Sequence, residues 1–82
     1  MRLTYDPKHN IAYIGLRKKS ATSPQVETIR VSDEMNIDIA PDGTVYGIEL
    51  LNANEQLTLT PAGTLSIINE SNGSSTQLRM TA

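Results

Sequence analysis

Asp38 and Glu49 are the residues of this 82-residue chain whose types and spacing could do chemistry. They stand on two alternating runs around Pro41-Asp42-Gly43, so both carboxylates project from one face of adjacent strands, diagonal to each other. Two neighbouring carboxylates can share a proton, bind a divalent cation or hold an arginine of a partner. A glycoside hydrolase also needs two, together with a cleft and aromatic platforms, and three tyrosines without tryptophan or phenylalanine make a thin platform. The competing role is structural: Glu49 pairs with Asn36 or a nearby arginine, and Asp38 bonds local backbone. His9 is the single histidine. Zinc takes three or four ligands, so His9 with Asp6 close by reads as a solvated turn and not as a metal site. With no cysteine, no glycine-rich phosphate loop and no Ser-His-Asp set, the expectation is binding without catalysis and without a cofactor.

The elements that must position these groups are hairpins. Met35 to Ile39 and Thr44 to Leu51 alternate apolar and polar residues, and a one-residue slip would turn every side chain to the other face. A two-residue type I′ turn at Asp42-Gly43 sets Met35 against Leu50, Ile37 against Ile48 and Ile39 against Tyr46. Asn36 then faces Glu49 and Asp38 faces Gly47. A three-residue Pro-Asp-Gly loop with a bulge at Gly43 competes, and it would set Met35 against Glu49; the two-residue turn is preferred because it keeps the apolar face continuous. At the N-terminus, a four-residue loop Pro7-Lys8-His9-Asn10 built on a type I turn pairs Leu3 with Ile14 and Tyr5 with Ala12. There Asp6 accepts loop N–H groups and Asn10 takes the left-handed conformation.

Lys18 to Pro24 reads as a loop, and Gln25 to Val31 as a third strand with Ile29 and Val31 as core candidates. Sequence neighbours tend to pair, which makes the order an antiparallel meander of about five strands. After Leu51 two readings compete. Thr60-Pro61 opens like a helix, with Leu65 and Ile68 on one face, whereas Leu57 to Thr60 and Thr64 to Ile68 alternate like a further hairpin. The helix is preferred, since a single sheet cannot cover its own apolar face. The fold class expected is therefore α+β and β-rich, with a short C-terminal helix. Residues 1–70 form one domain, and the polar run from Ser71 to residue 82 has little to bury and reads as a disordered tail.

Small residues on the polar face suggest self-association. Gly47 opposite Asp38, and Gly15 opposite Arg2, imply close approach by another group, and with Tyr13 they would make a contact surface for a second copy. Tyr13, Asp38, Gly47 and Glu49 are thus the expected binding residues.

Composition sets further bounds. A chain of this size buries roughly 60–65% of its unfolded surface, so its core is marginal and association would help it. The absence of cysteine is compatible with a reducing cytoplasm. No N-terminal apolar segment or bilayer-length apolar run occurs, so the expectation is a cytoplasmic protein with no membrane association. The net charge of −2 conceals a dipole. Residues 1–30 carry six cations against Asp6 and Glu27, a balance of +4, while residues 31–82 carry seven acids against Arg79, a balance of −6. An acidic half could meet a basic partner. Arg17-Lys18-Lys19 is one short cluster without a helix-turn-helix or stacking motif, so nucleic acid is not an expected partner.

Tyr5-Asp6-Pro7, then Ile11-Ala-Tyr-Ile-Gly-Leu16, then Asp38-Ile-Ala-Pro-Asp-Gly-Thr-Val-Tyr-Gly-Ile-Glu-Leu-Leu51 resembles a small prokaryotic domain family of unknown function. Its members run as Tyr-Asp, a short acidic turn, an apolar Leu-Tyr-Ile strand, then Asp, a Gly turn and Gly-Ile-Glu-Ile-Leu. The resemblance spans about residues 2–51. It implies a compact β-rich domain and no established catalytic activity; genes of the family often stand beside genes for toxin-like proteins, which implies a toxin-like partner and an antitoxin-like role. Lys8, His9 and Asn10 replace the usual acidic residues, so no ligand role for that turn is carried over.

Overall fold

A computed structural model describes residues 1–80 of the chain. Five strands form the main antiparallel sheet: β1 (Arg2–Asp6), β2 (Ile11–Gly15), β3 (Glu27–Ser32), β4 (Met35–Ile39) and β5 (Val45–Leu51). A single helical turn, α1 (Ala53–Gln56), follows, and β6 (Thr64–Ile68) with β7 (Ser75–Arg79) makes a separate two-stranded ribbon. The chain is β-rich with one short helix.

The strand order is β1-β2-β5-β4-β3, which corrects the expected meander. After β2 the chain crosses the sheet, and β3, β4 and β5 return so that β5 lies beside β2. The physical reason lies in the strands themselves. Val45–Leu51 is long and apolar and gains most from neighbours on both sides, whereas every residue of Glu27–Ser32 is exposed, as suits an edge. Ile29 and Val31 are consequently not core residues; they are 41% and 55% exposed.

The first hairpin has the expected pairing, Leu3 with Ile14 and Tyr5 with Ala12. Asp6 Oδ1 accepts the Lys8 N–H at 3.0 Å, and Asn10 is left-handed at φ 55°. The second hairpin pairs Met35 with Leu50, Asn36 with Glu49, Ile37 with Ile48 and Asp38 with Gly47, again as expected. Its turn is different. The Gly43 N–H donates to Ala40 O at 2.9 Å, the Ala40 N–H donates to Thr44 O at 2.8 Å, and Gly43 sits at φ 92°. This is the three-residue Pro-Asp-Gly loop with a glycine bulge, not the two-residue turn. A second irregularity sets Ile39 opposite Val45 in place of Tyr46 and restores the register below it.

The core lies on one face, at the end of the sheet nearest α1. Ala12, Leu50 and Ala53 are buried, with Leu3, Tyr5, Ile14, Met35, Ile48 and Leu57 packed around them. Asn52, left-handed at φ 52°, turns the chain out of β5, so that Ala53 drops onto the sheet. Asn10 locks that junction: its carbonyl accepts the Ala53 N–H at 3.0 Å, and its Oδ1 accepts the Asn54 N–H at 2.8 Å. From the other side, Gln56 Nε2 donates to Glu34 O and Leu51 O, each at 2.6 Å.

The helix therefore precedes the segment expected to hold it. Residues from Thr60 instead form a turn, with the Gly63 N–H on Thr60 O at 2.7 Å, that opens β6. Gly63 and the β-branched Thr64, Ile67 and Ile68 oppose a helix there. The alternative hairpin of 57–60 with 64–68 is also corrected, because β6 pairs with β7. Ser71 to Gly73 is thus a hairpin tip and not part of a tail, closed by the Asn69 N–H on Ser74 O at 2.8 Å. The last two residues of the expected tail lie outside the described residues.

Candidate functional site

The polar face of the sheet brings all four expected binding residues together. Tyr13 on β2 is directly opposite Glu49 on β5, and Asp38 on β4 is directly opposite Gly47 on β5. Tyr13 and Asp38 are two strands apart, yet the Tyr13 hydroxyl donates to Asp38 Oδ2 at 2.6 Å. Its ring can cross β5 only because residue 47 has no side chain: a Cβ there would lie inside the Tyr13 phenol. The group that closes on Gly47 therefore belongs to the same chain. Gly15, paired with Gly47, leaves the ring edge uncrowded at 3.8 Å from its own Cβ position.

Asp38 is held from the other side as well. Thr28 on β3 donates its Oγ1–H to Asp38 Oδ1 at 2.6 Å, so both carboxylate oxygens are occupied. These bonds, Thr28 first and Tyr13 second, hold the Asp38 carboxyl below its ordinary value, and the charge of Lys19 adds a smaller push in the same direction. Tyr13 moves the opposite way. Its hydroxyl is pushed up to about 12, first because it donates to Asp38 and then through partial burial and the negative charges of Asp38 and Glu49. Glu49 Oε1 accepts from Asn36 Nδ2 at 2.9 Å, the cross-strand partner expected for it. Asp38 and Glu49 do not combine into one carboxylate site; each is braced by a different neighbour.

Thr28 is the participant that sequence reasoning missed. Its signal is its place at the start of β3 opposite Asp38, which is legible only once β3 is known to pair with β4 at that register.

At the far end of the first hairpin, His9 Nδ1 lies 2.7 Å from Asp6 Oδ2, and this bond lowers the Asp6 carboxyl. Both side chains are more than half exposed. Among the described residues no group of three His, Cys, Asp or Glu side chains converges in a way that would hold a metal ion, and no helix is long and apolar enough to cross a membrane.

The opposite face carries the apolar residues. The core cluster lies at its α1 end; toward β3 a groove of about 620 Å³ runs beside Val26, Ile29, Ile39, Ala40 and Pro41. Here the sheet ends in an edge strand whose outward backbone groups have no strand partner among the described residues.

Residues 2–54 match the model of a family described as a protein of unknown function, DUF2283. The match takes in the whole five-stranded sheet and the start of α1, and stops short of the β6-β7 ribbon. No match to the chain was found among curated proteins or among solved structures.

Proposed function

From the premise that the chain belongs to the DUF2283 family of unknown function, we propose that it is a protein-interaction module that acts by association and not by catalysis. One observation carries this reading: among the described residues the outer side of β3 has no strand partner, and two apolar side chains stand exposed on it between Glu27, Arg30 and a bulge. Ile29 and Val31 are 41% and 55% exposed there, and Glu27–Ser32 contains neither lysine nor proline.

The first partner is a second copy of the chain. Two β3 edges set antiparallel about a two-fold axis continue the sheet across both molecules, with backbone bonds replacing water and Ile29 meeting its symmetry mate. The small core favours this, because among the described residues its buried apolar side chains are three alanines and Leu50. A small toxin-like protein, the partner implied by the resemblance of residues 2–51, would use the same edge, and the antitoxin-like role follows from that competition.

The alternative, a small-ligand or divalent-metal site on Asp38 and Glu49, has less support from the geometry. Both oxygens of Asp38 already accept internal hydrogen bonds, and Glu49 is engaged by Asn36.

Light scattering on a size-exclusion column tests the reading. The wild-type mass is expected to be that of a dimer and to fall to a monomer in Ile29→Lys, which places a charge on the edge without touching the core. A monomeric wild type at high concentration would sink it.

A further inference from the structure

We propose that the cleft between the start of β1 and the exit of β2 binds a phosphorylated small molecule bearing a planar ring, of the nucleoside diphosphate class. The cleft, about 480 Å³, is bounded by Arg2, Arg17, Lys18 and Lys19, with Tyr13 and Tyr46 on its walls. It lies away from the β3 edge and is independent of the association described above.

The convergence of charge is built by the backbone. Register sets Arg2 opposite Gly15, so no side chain stands between Arg2 and the Tyr13 ring edge at that pair. As the chain leaves β2, the N–H groups of Leu16 and Arg17 both donate to Tyr46 O, at 2.9 and 3.3 Å. That forked bond pins the chain at the point where three consecutive cations begin. Among the described residues none of the four cations has a carboxylate within ion-pair distance, whereas His9 pairs with Asp6 and Arg30 with Asp33. Asp38 is near enough to feel Lys19, and Asp42 to feel Arg17, but Asp38 is already held by Tyr13 and Thr28 and Asp42 accepts the Thr44 N–H.

Four cations line one cleft, so their potentials sum there, and salt at the Debye length of about 8 Å screens them only in part. A di-anionic or tri-anionic group answers that potential, and arginine forks suit phosphate oxygens. Tyr13 selects a ring in addition. The Tyr13 hydroxyl is committed to Asp38 and its ring lies against Gly47, so what it offers the cleft is its aromatic surface.

Size and charge favour a small ligand over a long polyanion. The volume lies within the range of about 300–1,000 Å³ usual for small-molecule sites. Residues 31–82 carry a balance of −6, which repels a polynucleotide extending beyond the cleft.

Titration calorimetry of the full chain at physiological ionic strength tests this with ADP, adenosine and inorganic phosphate as probes. Saturable one-site binding of ADP is expected, with adenosine and phosphate each weaker by about tenfold or more. The combined Arg17→Gln, Lys18→Gln, Lys19→Gln variant, and Arg17→Gln alone, are expected to weaken ADP binding while their thermal melts match the wild type. The amide resonances of Gly15, Leu16 and Tyr46 should shift with ADP. Unsaturable binding of ADP, or equal binding by the triple variant, overturns the proposal. Tighter binding of a short single-stranded RNA than of ADP also overturns it, and assigns the cleft to polynucleotide phosphates.

Discussion

The Tyr13 hydroxyl reaches across β5 to Asp38 Oδ2 at 2.6 Å, passing over Gly47, and so ties β2 to β4 without passing through the strand between them. With Thr28 on the far oxygen, this bond chain joins three strands, β2, β4 and β3, on the face opposite the core. Removing the hydroxyl alone isolates its contribution. Tyr13→Phe is expected to cost about 1–2 kcal/mol, the range for a partly solvated bond to a charged acceptor. Urea unfolding should show a lower midpoint with an unchanged slope.

Gly47→Ala should be costly for a reason outside Gly47 itself. The added Cβ occupies the Tyr13 phenol, so the ring must swing away and lose Asp38, a loss of about 1–3 kcal/mol. The signature is coupling. In a Tyr13→Ala background the same alanine should be nearly neutral, and additive costs in that double-mutant cycle would contradict the crossing geometry.

The same pair predicts a stability profile with two shoulders. The Asp38 carboxyl is depressed in the folded protein, so its contribution is present above the unfolded carboxylate value near ~3.9 and is lost as pH falls through the lower folded value. Tyr13 is raised from 10.0 to about 12, so its contribution is complete below 10 and is lost as pH climbs from 10 toward about 12. Asp38→Asn removes the charge that drives both. Chemical denaturation across pH should lose the alkaline shoulder in that variant and soften the acid one. Retention of the alkaline shoulder would mean that another group causes it.

Thr58, just past the end of α1, is a β-branched residue at φ 53° and is exposed. The Leu59 N–H beyond it closes back on Asn54 O at 2.9 Å, an arrangement that glycine ordinarily serves. Thr58→Gly relieves the left-handed strain and is expected to stabilise by about 0.5–1 kcal/mol, read as a raised melting temperature. A lower melting temperature would show that Thr58 makes a compensating contact.

Asn10 combines a left-handed backbone with bonds to Asn52 and Asn54. Asn10→Gly keeps the backbone preference and removes the bonds, so its expected cost of about 1 kcal/mol measures the side-chain lock on α1. Amide exchange should quicken at Ala53 and Asn54 more than in β2.

Much of the local structure was legible in the chain. Alternation at Met35 to Ile39 and Val45 to Leu51 specified which residues face the core, because a slip by one would expose the whole apolar set. Pro7, Asp6 and Asn10 specified the first turn by their fixed φ, acceptor oxygen and left-handed tolerance. The same apolar demand explains how the register of the second hairpin survived a different turn: Gly43 favoured the bulged loop, and a second irregularity near Val45 returned Ile37 to Ile48.

What only the tertiary structure decided was which strands meet. The placement of β5 between β2 and β4 depends on burying the most apolar strand on both sides, a property of the whole sheet and not of any window of residues. That single choice moved Ile29 and Val31 to an exposed edge, brought Thr28 to Asp38, and put Gly47 under Tyr13. It also left the helix only one turn after β5, where Ala53 could reach Ala12 and Leu50, and sent the residues after Thr60 into a ribbon of their own. Side-chain pattern determined the faces; long-range pairing, whose energy no local segment carries, determined the neighbours.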